Sequence, residues 1–315
     1  MRVALVVQAV PVSERYDDWR RGQLTSALDG LRQYAGTESQ LVEVDADLAP
    51  SYVERVTDRL AAGRFDLVLF ALNADGARAF APQVRRLQRA RSVFIDSSLA
   101  ELALAGEPNA TGIRFATEAP AQLAGALGGL MRPRAQARRR ADVVSVVAGE
   151  KTPEATRVVA AFRRGVARAL PRAKVLVEYS NEMVDPTACE RIANAQIDAG
   201  SDVVFVHSGR CGTGALAVAR TRGVWAISGD GVGEPAGGVL GAIFKDWDNA
   251  VYTAVAAFAE GTLPAGDVVL GLDGYNVGLD MSPTLPAGIG SKVVRLCSDI
   301  RLHSAQTSMK TRVEP

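Results

Sequence analysis

The sequence predicts an α/β fold of two doubly wound parallel-sheet lobes, and three observations carry that expectation. Short buried-strand patterns alternate with amphipathic helical stretches from the first residues onward, which is the rhythm of a parallel sheet covered on both faces. The rhythm breaks at the basic run Arg132-Pro-Arg-Ala-Gln-Ala-Arg-Arg-Arg140 and then restarts. The chain has 315 residues, enough for two cores at about 100 to 200 residues per domain.

In the first lobe Val3 to Val7, Ser39 to Val44, Phe65 to Ala71, Ser92 to Asp96 and Gly112 to Phe115 read as strands. Asp17 to Tyr34, Tyr52 to Ala62 and Asp75 to Arg89 read as the helices between them. A helix from Glu118 to Leu130 carries Ala121, Ala124, Gly125, Gly128 and Gly129, so it can lie close to a neighbour or at a tight lobe junction. The arginine run that follows reads as a solvated loop, because charge runs without aromatics usually are. In the second lobe Ala141 to Ala148 and Ala173 to Tyr179 are strands, while Glu154 to Leu170 and Pro186 to Ala199 are helices. Asp246 to Glu260 has a helical apolar stripe of Trp247, Val251, Ala254, Val255 and Phe258, and Gly261 sits where a left-handed cap is favoured. Gly266 to Gly271 and Asn276 to Leu279 are short strands about a Gly274 turn, and residues 296–315 form a polar tail.

Composition excludes several function classes. Apolar residues make up 48% and charged residues 23%, as in ordinary soluble globular domains. With 36 basic against 35 acidic side chains, the net charge of +1 gives no case for nucleic acid or a membrane surface as partner. Cys189, Cys211 and Cys297 have no metal-ligand spacing, and an odd number cannot pair fully within one chain. With His207 and His303 the sole histidines, no metal site and no cofactor is expected. Met1-Arg2 leads straight into a strand without an apolar signal segment, and no run approaches the roughly 20 residues of a transmembrane helix. As given, the chain reads as soluble, although a secreted precursor would lose such a signal.

Chemistry concentrates between Asp202 and Lys245. A strand, Asp202-Val-Val-Phe-Val206, runs into the turn His207-Ser-Gly-Arg-Cys-Gly-Thr-Gly214 and a helix from Ala215 to Arg222. The next strand, Gly223 to Ser228, delivers Asp230 in a Gly-Asp-Gly turn, and a third, Gly238 to Phe244, ends on Lys245. Open parallel sheets bind ligands at such carboxyl ends. In the first lobe Asn73 with Asp75, and Asp96 with Ser97 and Ser98, follow strands in the same way, though these residues also serve as turn and cap residues.

Val203-Val-Phe-Val-His-Ser-Gly with Gly212-Thr-Gly, Ser228-Gly-Asp230, Ile243-Phe-Lys245, Gly266-Asp-Val-Val-Leu-Gly-Leu272 and Asn276-Val-Gly-Leu279 occur in that order. Together with Phe162-Arg-Arg-Gly-Val166, Lys174-Val-Leu-Val177, Asp185-Pro186 and Ala199-Gly-Ser-Asp202, they resemble the basic membrane protein family of substrate-binding lipoproteins, whose members include purine nucleoside receptors of ABC importers. The resemblance implies a type I periplasmic-binding fold whose lobes, joined by crossover hinge segments, close on a ligand. The implied first lobe is 1–116 plus 244–272, the second is 117–243 plus 273–295, and 296–315 is the tail. It implies further that Asp230 and Lys245 hold ribose hydroxyls, the carboxylate accepting and the ammonium donating. In such relatives aromatic rings sandwich the base; the matching places here are His207 on one side and Tyr16 or Trp19 on the other. Gly209 and Gly212 belong to the turn facing the ligand, and Asn73 is a further candidate.

This sequence departs from the family at two points. The opening turn is Gln8-Ala-Val-Pro-Val-Ser-Glu-Arg-Tyr16, in which Glu14 alone could replace the usual acid, and the second turn is Gly209-Arg-Cys-Gly212. The expected function is that of a non-enzymatic solute-binding protein capturing a nucleoside-like ligand for a membrane permease. Such a protein is extracytoplasmic and membrane-anchored in its precursor. The alternatives are a ligand-sensing domain coupled to a signalling partner, a cleft in which Arg210 blocks nucleosides, and an enzyme using Cys211 and His207 as a thiolate pair.

Overall fold

The computed structural model describes residues 1–8, 22–27, 29–30, 36–45, 47–132, 142–231 and 237–311, the last ten of these as backbone. The sequence-predicted site residues Tyr16 and Trp19, and Glu14 with them, lie outside the described residues. The chain forms two compact units, Met1–Phe115 with Asp246–Leu270, and Ala116–Lys245 with Gly271–Pro315.

The first unit holds a parallel six-stranded sheet of β1 (Arg2–Gln8), β2 (Glu38–Val44), β3 (Leu67–Ala71), β4 (Arg91–Ile95), β5 (Ala110–Phe115) and β11 (Gly266–Leu270), strands being numbered along the chain. Their spatial order is β11-β5-β4-β3-β1-β2. Val3 to Val7 and all of β3 are buried because these strands are covered on both faces. Phe70 stacks on Phe94 at 4.8 Å and meets Phe80 at 5.4 Å, which forms the aromatic centre of this core. Helix α1 (Pro50–Ala62) buries Val53, Val56, Thr57 and Leu60 at helical spacing, with Pro50 preset for its first turn. The helix expected from Asp75 to Arg89 is shorter: α2 (Ala74–Phe80) gives way to a 3-10 segment, Ala81–Arg86. Pro82 lacks the N–H that an α-helix would need there. A later helix, Trp247–Ala259, returns to this unit and packs Trp247 on Phe115 at 5.6 Å.

The second unit has the sheet β7-β6-β8-β9-β10-β12, formed by β6 (Val143–Ala148), β7 (Lys174–Tyr179), β8 (Val203–His207), β9 (Trp225–Ser228), β10 (Val239–Lys245) and β12 (Val277–Met281). All its pairs are parallel except β10 with β12. Its helices are α3 (Glu118–Met131), α4 (Pro153–Ala169), α5 (Pro186–Asp198), α6 (Gly212–Arg222) and, after the returning helix α7 (Trp247–Ala259), α8 (Ile289–Thr311). The small face of α3 finds its neighbour in α4, and the two cross where Gly125 of one and Gly165 of the other face opposing backbone. Gly223 closes α6 in the left-handed region at φ 66°.

Two expectations change here. Arg132, read as part of a solvated loop, is buried and pairs with Asp202 at 3.3 Å; the rest of that run lies outside the described residues. Residues 296–311, read as a polar tail, continue α8, because Ile289, Val293 and Leu296 repeat at i, i+4 and i+7 and are buried.

A candidate ligand site at the carboxyl edge of the second sheet

The order β7-β6-β8-β9-β10 places strands that follow one another in the chain on opposite sides of β6. The loops after β6 and β8 therefore leave toward opposite faces and open a crevice at their carboxyl ends, where such sheets bind ligands. Gly149 just beyond β6 donates its N–H to the carbonyl of His207 at 2.8 Å, so the two strand ends remain level.

His207 and Asp230 come together because β8 and β9 are neighbours, with Val206 opposite Ser228. His207 Nδ1 lies 2.6 Å from Asp230 Oδ1, and Gly209 donates its N–H to Asp230 Oδ2 at 2.7 Å. Gly209 holds φ +57°, a conformation natural to glycine, and this aims its N–H at the carboxylate. The side chains of His207 and Asp230 are 12% and 19% exposed, which leaves part of each open at the strand ends. Lys245 ends β10, is half-buried, and lies near enough for its charge to act on both partners.

Burial works against the imidazolium of His207, yet the charge and hydrogen bond of Asp230, with a smaller contribution from Glu154, raise its pKa above the ordinary 6.5. Burial likewise works against the Asp230 carboxylate, but His207, the Gly209 N–H and Lys245 hold its pKa below the ordinary 3.8. The pair's contribution to stability is full between those two ordinary values. It is lost as pH rises through the raised His207 pKa, and lost again as pH falls through the depressed Asp230 pKa. Melting temperature measured against pH should therefore fall on the alkaline side in wild type, and His207→Gln should remove that fall.

The structure sorts the candidate residues as follows. Asp230, His207, Gly209 and Lys245 belong to one cluster, and Gly212 begins α6 behind it, with a Cβ there meeting Val206 at 2.5 Å. Asn73 caps α2 by accepting the Gly76 N–H at 2.8 Å, a structural use of the side-chain oxygen proposed for ligand. The thiolate pair is overturned, because Cys211 is bonded to Cys189 in a disulfide and carries no thiol. An odd cysteine count left this pairing open; it is settled by the packing of α5, which follows β7, against the turn after β8, the two strands flanking β6. Among the described residues no helix is long and apolar enough to cross a membrane.

Comparison with known proteins agrees with this architecture. The model of the family described as "ABC transporter substrate-binding protein PnrA-like" matches residues 22–296. Two curated relatives, the CD4+ T-cell-stimulating antigens of Listeria monocytogenes and Listeria innocua, are 29% identical over 129 residues, 39% of this chain and 34% of theirs. The match thus spans about a third of those relatives' length. An ABC transporter solute-binding protein from Conexibacter woesei shares the fold at a TM-score of 0.68 and 21% identity, over 97% of both chains. A transcriptional activator of the comK gene from Bacillus halodurans does so at 0.71 and 20% identity, over 95% of this chain and 96% of that one. A Burkholderia graminis solute-binding protein in complex with D-arabinose matches at 0.60 and 15% identity, over 89% of this chain and 95% of that one. These neighbours establish a type I periplasmic-binding-like fold of two parallel-sheet α/β lobes.

Proposed function

Because this chain belongs to the family of PnrA-like ABC transporter substrate-binding proteins, we propose that it captures a nucleoside or nucleoside-like molecule for a membrane permease, using Asp230, Lys245 and His207. The observation that carries this reading is the Asp230 carboxylate, held by two donors at a strand's carboxyl end beside Lys245. A carboxylate oxygen offers about two acceptor sites. With one engaged on each oxygen, the remainder suit the vicinal hydroxyls of a sugar ring, and Lys245 supplies a donor to the same hydroxyls. Solute-binding proteins of this fold have been solved with D-arabinose and with D-allose, which fits a hydroxyl-bearing ligand.

The chain performs no chemistry in this reading, since the cysteine beside His207 is tied up in a disulfide. The same disulfide fits an oxidising, extracytoplasmic compartment, and the lipid anchor in the precursor is carried by the family resemblance alone. A thermal-shift screen over nucleosides, bases and sugars finds the ligand, because tight binding raises the melting temperature by mass action. Asp230→Asn and Lys245→Ala should then each weaken that ligand roughly tenfold to a hundredfold in calorimetry, as expected for a charge-assisted hydrogen bond. Wild-type affinity in both variants would sink the site. A second reading, a ligand-sensing domain of a regulatory protein, is favoured by the shared fold of the comK activator. Ligand-dependent stimulation of a reconstituted permease's ATPase separates the two.

A further inference from the structure

Among the described strands, β7 is the outer member of the second sheet, paired with β6 on one side only. An edge strand presents a row of backbone N–H and carbonyl groups to any chain that can align with it. The ladder to β6 fixes which groups these are. Lys174 and Ser180 donate their N–H groups to the carbonyls of Asp142 and Ala148, so the even-numbered residues of β7 face β6. Val175, Val177 and Tyr179 therefore point their backbone groups outward. Lys174 and Glu178 are exposed, and Val175, Leu176 and Val177 are only partly buried, whereas all of β6 beside them is buried.

Charge separates this edge from the other three. The outer strands β2, β11 and β12 carry acids, Glu38 with Glu43, Asp267, and Asp280, and none carries a cation within its length. Strand β7 carries Lys174 and Glu178, placed symmetrically about Leu176 and on the same face as that leucine. Charges commonly blunt a sheet edge against its own kind. Here they complement a second copy of the same strand.

A second β7 laid antiparallel, with Leu176 on the dyad, sets Val175 against the second copy's Val177. Both residues point their N–H and carbonyl groups outward, so they exchange both backbone bonds, and the dyad repeats the pair. Lys174 then faces the second copy's Glu178 at a non-hydrogen-bonded position, where opposed side chains approach most closely. Slipping the register by two residues sets a charge against Leu176. Slipping it by one turns the outward backbone groups of one strand against the inward groups of the other. Backbone direction and charge thus select the same register independently.

We propose that β7 is a self-recognition edge, through which two copies of this chain pair antiparallel about Leu176 into one continuous sheet. The partner is a second copy because the strand's charges and outward backbone groups match only when the strand meets itself reversed. The ligand cluster stays clear of the joint, since β8 and β9 lie beyond β6 from β7. A joint of one strand from each copy is smaller than the roughly 1,600 Å² of a standard stable interface, so the dimer exchanges with monomer in the micromolar range.

Sedimentation equilibrium of the whole chain, from about 1 to 500 μM at low salt, tests this; wild type should fit a monomer–dimer equilibrium. Lys174→Glu and Glu178→Lys each set like charges face to face and should weaken dimerisation about tenfold or more. Both side chains are exposed, so melting temperatures should stay near wild type and exclude unfolding as the cause. Mixing the two single variants restores opposite charges at every facing position. The mixture should therefore dimerise as wild type does, and so should the double variant K174E/E178K. Monomer throughout the range in wild type, a dimer unchanged by both single variants, or a mixture as weak as its components overturns the proposal.

Discussion

Replacing Cys189 and Cys211 together by alanine should destabilise the second unit by about 3 to 4 kcal/mol, the chain-entropy value for a loop closed by residues 22 apart in sequence. For a unit of this size, that lowers the melting temperature by roughly 10 °C. Both sulfurs are fully buried, so reductant reaches them only after opening. Scanning calorimetry with and without reductant during the scan should therefore show the shift in wild type and none in the double variant. The consequence extends to ligand, since the disulfide ties α5 to the turn that carries Gly209. Loosening that turn releases one of the two donors holding Asp230, so affinity should fall together with stability. Free thiols at both positions in native protein purified under oxidising conditions, with no shift on reduction, would remove the disulfide from the account.

The particular residues involved show how far sequence carries in this fold. Strands such as Val143–Ala148 are buried along their whole length, and uninterrupted apolar runs between helical stretches announce that arrangement. That Asp230 follows one strand and Lys245 ends the next was legible, because apolar runs stop at both places, and such strand ends are where doubly wound sheets place ligands. The pairing of His207 with Asp230 was not legible. It depends on β8 and β9 being adjacent and in a particular register, a long-range fact that local patterns do not encode. The disulfide escaped for a related reason: three cysteines allow three pairings, and only the packing of α5 against the turn after β8 selects one. The break in the helix after Phe80 could have been read from Pro82, a residue whose missing N–H is visible in sequence alone.

Gly165→Ala should be the most damaging single methyl that can be added to the second unit, costing about 3 kcal/mol, the upper part of the range for overpacking. A β-carbon at Gly165 would overlap the Gln122 carbonyl oxygen and stand 2.8 Å from the Ala126 nitrogen, so it meets backbone on both sides and no side chain can swing away. Relief requires α3 and α4 to separate, which strips contacts from Phe162, a fully buried ring stacked on Phe205 at 4.4 Å. The intrinsic preference runs the other way, since alanine in a helix interior is favoured over glycine by about 1 kcal/mol. A net loss therefore isolates the close approach as its cause. Gly128→Ala in α3 is the control: the nearest atoms to its added carbon would be the Val203 and Ile227 methyls, at 3.3 and 3.6 Å, and the Phe162 ring beyond, all side-chain ends that can shift, so its melting temperature should stay near wild type. Because α4 follows β6 directly, the glycine contact that holds α4 down also sets where the loop after β6, with Gly149, stands beside His207. Gly165→Ala should consequently weaken ligand as well as stability, whereas Gly128→Ala should alter neither. Melting temperatures that do not separate the two variants would mean that the helices are not in backbone contact at Gly165.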